Sequence, residues 1–97
     1  MSNFIDYNDF LRMSEEIEMN KLASAIDMQL ILNEKCMRHY DGITGLAKIS
    51  EFFKMINELQ DLKNRAVCHN NHSVADMCEV YIIEIECQMS ELRKLYM

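Results

Sequence analysis

The side chains best suited to chemistry are two cysteine–histidine pairs. Cys36 and His39 stand three apart, Cys68 and His72 four apart, and His69 lies beside the second pair. Such spacings put both members of a pair on one helical face or one turn, and thiolate with imidazole is a donor set that Zn²⁺ accepts. Neither pair has the spacing of a zinc finger, and a joint Cys₂His₂ site would require the ends of antiparallel neighbours to meet. The expectation is a chain that holds no metal and no other cofactor; a structural zinc protein is the alternative. A glycine-rich phosphate loop, a G-x-S-x-G elbow and an H-E-x-x-H helix are all missing from the sequence. Sixteen Asp and Glu residues offer no spacing that singles out a general acid and base. The chain is therefore expected not to be an enzyme, to have no catalytic residue and to take no small-molecule substrate.

One segment bears on that expectation. Asp61-Leu62-Lys63-Asn64-Arg65-Ala66-Val67-Cys68-His69 ends a helical pattern with an Arg and a His. It resembles the Arg-x₄₋₆-His signature of HEPN-type helical ribonucleases, which implies metal-independent cutting of RNA, usually across a dimer, by Arg65 and His69, or an antitoxin-type role. Here three residues separate Arg65 from His69, and the basic residue at the family's spacing is Lys63. An ordinary basic helix C-terminus, favoured by the helix dipole, accounts for the same residues.

Two breaks organise the chain around these residues. Asp41-Gly42-Ile43-Thr44-Gly45 contains both glycines of the chain, and His69-Asn70-Asn71-His72-Ser73 is a polar, turn-tolerant run. They leave three helical segments, at about 8–40, 45–68 and 74–96, in one domain spanning 1–97. The second carries Ile49, Phe52, Ile56 and Leu59 at helical spacing, with Leu46, Phe53, Leu62 and Ala66 on a broad apolar arc. The third runs Cys78, Ile82, Ile85, Met89, Leu92, Tyr96 in alternating steps of four and three, with Ser73 as its expected cap. Asp6 or Asn8 can start the first helix, and Ser14 before Glu15 and Glu16 is an equally good start, so that helix is either unbroken or divided near residue 14. The expected fold is all-α, a three-helix antiparallel bundle.

These helices carry more apolar surface than one core needs. Opposite the main stripe of the first helix (Met19, Leu22, Ile26, Leu30, Met37) lies a second one, Ala25, Met28, Leu32 and Cys36. In the third helix Val80, Ile83 and Cys87 form a second stripe flanked by Asp76, Glu79, Glu84 and Glu86. Contiguous exposed apolar surface on a small protein usually marks an interface. Met28, Leu32, Cys36, Val80, Ile83 and Cys87 are thus the candidate partner-binding residues, and the partner is another protein, with a homodimer the leading expectation.

Composition points the same way. Ten Lys and Arg against sixteen Asp and Glu give a net charge of −6, divided evenly along the chain, which disfavours nucleic acid and anionic membrane as partners. Nine methionines favour adaptable apolar contacts, in a core or on a surface. No apolar run reaches the roughly 18 residues of a membrane span, and the N-terminus lacks the pattern of a signal peptide, so a cytoplasmic protein with four reduced cysteines is expected. In size, acidity and methionine content the chain resembles small acidic secretion chaperones and phage-encoded or viral inhibitors of host proteins. The resemblance implies an adaptor, chaperone or inhibitor that works by helix packing.

Overall fold

The computed structural model describes residues 6–97. Three helices run up, down and up: α1 over Tyr7–Cys36, α2 over Gly42–Cys68 and α3 over His72–Tyr96. The molecule is a rod measuring 61 × 19 × 17 Å. No helix among the described residues is long and apolar enough to cross a membrane.

The α1 helix is unbroken through Ser14, because Asp6 caps it, accepting from the Asn8 amide at 3.4 Å, and Glu15 turns inward to partners on the rest of the bundle. It ends at Cys36, earlier than residue 40, in a 3₁₀ turn over Met37–His39. Asp41 then caps α2, accepting from the Thr44 amide at 2.7 Å, so that helix begins at Gly42. Those Thr44 and Ile43 hydrogen bonds hold the Asp41 carboxyl below its ordinary range.

The core follows the expected stripes. Met19, Ile26, Leu30 and Met37 of α1 and its terminal turn meet Ile49, Phe52, Ile56, Leu59, Leu62 and Ala66 of α2. The α3 seam from Cys78 to Leu92 closes the third side, with Tyr96 partly buried at its end. Two residues expected on the α2 arc, Leu46 and Phe53, are exposed. They lie beyond the two neighbours' reach, since a helix packed in a three-helix bundle covers only part of its circumference. Phe53 instead lies beneath the Arg93 guanidinium, 5.2 Å from its ring centre.

The turn between α2 and α3 is built on two asparagines. Asn70 adopts φ 56°, and the Asn71 amide reaches back to the Ala66 carbonyl at 2.7 Å, the pairing of a Schellman ending. Asn71 then caps α3 through its side-chain oxygen, which accepts from the Val74 amide at 3.5 Å. The cap is therefore two residues earlier than Ser73, which lies inside the first turn of α3.

Candidate functional site

The polar residues gather at the end of the bundle where α1 begins and α2 turns into α3. Glu15, 3% exposed, faces the Nδ1 of His69 at 2.5 Å and accepts from the Asn71 side-chain amide at 3.3 Å. The same amide donates to the Arg12 carbonyl, and the Arg12 guanidinium donates to the His69 carbonyl, each at 3.2 Å. One turn further along α1, Glu18 receives two parallel bonds of 2.9 Å from Arg65, which also pairs with Asp61 at 3.1 Å. The Arg65 hydrogen bonds outweigh burial and hold the Glu18 carboxyl below its usual range, while Glu18 raises Arg65. A carboxylate lowered on folding stabilises the fold above its unfolded value and loses that contribution as pH falls, and this holds for Glu18 here as for Asp41 at the other end.

That arrangement gives Arg65 and His69 a role in joining the helices. Both side chains are engaged by carboxylates of α1, Arg65 by Glu18 and His69 by Glu15. Their neighbours tie helices together.

The cysteine–histidine pairs part company as well. Cys36 and His39 lie at the far end of α1, whereas Cys68 and His72 flank the α2–α3 turn. The 27-residue α2 helix separates those ends by about 40 Å. The four residues do not form one site, and no group of three or more His, Cys, Asp or Glu among the described residues is placed to hold a metal ion.

Cys78 is buried against the Met19 sulfur at 3.5 Å, and burial pushes its thiol up to about 11. Cys36, Cys68 and Cys87 are exposed. At neutral pH iodoacetamide should therefore modify three thiols rapidly and Cys78 only after denaturation, as followed by intact mass. Four thiols reacting at one rate would refute this burial.

The six predicted partner-binding residues are all exposed: Met28, Leu32 and Cys36 on α1, and Val80, Ile83 and Cys87 on α3. The two stripes do not merge into one patch. Ile83 and Cys87 join Leu30 and Ile31 of α1 in an open groove of about 550 Å³ between the two helices, while Val80 lies outside its lining. Asp27, Glu34 and Glu84 also line this groove, and no basic residue does. Tyr81 donates to both oxygens of Asp27 at 2.9 Å, and burial with that acceptor pushes its hydroxyl up to about 12. Asn33 and Gln88 set the helix register nearby, the Asn33 amide donating to Gln88 at 2.8 Å and Gln88 to the Leu30 carbonyl at 3.1 Å.

Met28 and Leu32 belong elsewhere, on the outward face of α1 directly opposite its buried stripe. Phe10, Met13 and Ile17 continue that face toward the N-terminus, and all three are at least half exposed. Sequence reasoning missed them, along with Ile31 in the groove. Their spacing of three and four was the available signal. The alternative helix start at Ser14 cut across it.

No family model, curated protein or solved structure matches this chain. Its function is read from these surfaces alone.

Proposed function

We propose that this chain is a small helical interaction module, of the adaptor, chaperone or inhibitor kind, that acts by binding another protein rather than by catalysis. The observation that carries the reading is the groove between α1 and α3, which has an apolar lining of Leu30, Ile31, Ile83 and Cys87 and acidic residues Asp27, Glu34 and Glu84. A groove between parallel helices accepts the apolar face of a third helix through anchors at i, i+3, i+4 and i+7. Its charge selects an occupant with Lys or Arg beside those anchors. The four free thiols suit a reducing cytoplasm, where this binding would take place.

Screening displayed amphipathic helices against the folded chain tests the reading. Helices with basic flanks should be enriched, and Ile83→Glu should weaken them at least tenfold while leaving helicity intact, because Ile83 is exposed. Absence of enrichment, or ligands indifferent to Ile83→Glu, would overturn it.

A further inference from the structure

We infer that the groove between α1 and α3 takes a helix of a different protein, lying antiparallel to both as the fourth helix of an up-down-up-down bundle and carrying two cations seven residues apart on one flank. This rests on the reading of the chain as an interaction module and adds the length, charge pattern and direction of what it binds.

Length follows from the ends of the groove. At one end Tyr81 of α3 is bonded to Asp27 of α1, and at the other Arg38, in the turn after α1, reaches Glu91 of α3 at 4.0 Å. About 16 Å, or three helical turns, separates these two links. Between them the lining is apolar, with Leu30 buried and Ile31 and Ile83 each more than half exposed. A helix seated there can place anchors at i, i+4 and i+7 within that length.

The carboxylates set the charge pattern. Asp27 and Glu34 are seven residues apart on the α1 wall, about 10 Å along one face of that helix, and Glu84 stands on the α3 wall. None of the three has a basic partner among the described residues. The Tyr81 hydroxyl donates to Asp27 and leaves its charge in place. An occupant with two cations seven residues apart on one flank meets Asp27 and Glu34, and one on the other flank meets Glu84. A second copy of the chain does not offer this pattern, because no two of its Lys and Arg residues are seven apart in sequence.

Direction follows from the helix ends. The α1 helix stops at Cys36, two residues past Glu34, so its carbonyl end lies at the Arg38 end of the groove, and α3 runs the same way. The partial negative charge of such an end acts within the last turn and favours a helix N-terminus beside it. The occupant therefore runs opposite to both walls, as neighbouring helices do in an up-down-up-down bundle.

The probe is a displayed library of helices about 16 residues long, with Leu at i, i+4 and i+7 and with Lys, Glu or Gln at i−1, i+1, i+6 and i+8, selected on the full chain. Enriched members should carry Lys at both positions of one flank, i−1 with i+6 or i+1 with i+8. The most enriched member, made with a nitroxide at its N-terminus, should broaden the amide signals of Arg38 and Leu92 more than those of Ala23 and Met77. Asp27→Asn with Glu34→Gln should weaken it at least threefold, since asparagine still accepts from Tyr81 while the charge is gone. Glu16→Gln with Glu58→Gln, equal in charge and outside the groove, should leave it unchanged. Enriched helices that lie parallel, lack the seven-residue pair, or ignore the loss of Asp27 and Glu34 would overturn this inference and leave the groove reading standing. No enrichment at all would overturn both. A chain that dimerises alone, and loses the dimer with Ile83→Glu, would put a second copy in the groove and equally overturn the inference.

Discussion

Asn71→Asp should lower the stability of the fold by about 2–4 kcal/mol, although it replaces one nitrogen by an oxygen. Three helices meet at this side chain and its backbone. Its amide closes α2, its side-chain oxygen caps α3, and its side-chain nitrogen donates to Glu15 and to the Arg12 carbonyl of α1. Aspartate keeps the cap but has no donor, and it sets a second carboxylate against the buried Glu15. Like charges in a site of low dielectric repel, and two acceptors lose their partner. In a domain of this size the loss corresponds to a fall in Tm of roughly 10–25 °C, read by thermal circular dichroism at neutral pH. Adding Glu15→Gln to that variant should recover part of it, since glutamine supplies a donor to the new carboxylate. A Tm within a few degrees of wild type would show that the asparagine does not hold α1 to the turn.

The second large effect concerns a glycine inside a helix. Replacing Gly45 by alanine ordinarily gains about 1 kcal/mol of helix propensity. Here the added methyl would lie 2.4–2.6 Å from three atoms of the Tyr96 ring. That ring cannot withdraw without cost, because its hydroxyl donates to the Met37 and Tyr40 carbonyls at 2.5 and 2.9 Å and so closes the far end of the bundle. Overpacking of this kind costs about 1–3 kcal/mol. Gly45→Ala should therefore destabilise, while Gly42→Ala, with nothing within 4 Å of the new methyl, should stabilise by about 0.5–1 kcal/mol. A double-mutant cycle with Tyr96→Ala isolates the clash: in that background the Gly45 substitution should turn neutral or favourable. Gly45→Ala raising the Tm in the parent chain would sink the argument.

What the sequence made legible was whatever repeats along a helix. The α3 seam from Cys78 to Tyr96 and the α1 stripe from Met19 to Met37 could be placed inside because a period near 3.6 gives a side chain its direction without any neighbour. Caps were harder, since Ser73 and Asn71 are both good candidates and the choice depends on a backbone turn at Asn70. The base of the bundle was not legible at all. Glu15 and His69 are 54 residues apart, and only the docking of α1 makes them partners. The groove has the same origin, because Ile31 and Ile83 belong to different helices and share a wall only through the crossing. Stripe and partner are different kinds of information: periodicity set Ile83 and Cys87 on one exposed stripe, while packing decided that Ile31 of α1 joins them in the groove and Met28 does not.

The links that fasten α1 have a consequence for how the chain finds its fold. The α2 and α3 helices are consecutive and joined by three residues, so their pairing is local and fast to form. An apolar face of Met, Ile and Leu would accept α1 almost as well after a slip of one turn, about 5.4 Å. Glu15, Glu18, Asp27 and Asn33 would not, because each reaches its partner on α2, the turn or α3 in one alignment only. A slipped α1 would leave these groups short of partners at the helix interface. Polar contacts that add little to the total free energy thereby act as a vernier, rejecting misaligned states that the core alone would tolerate.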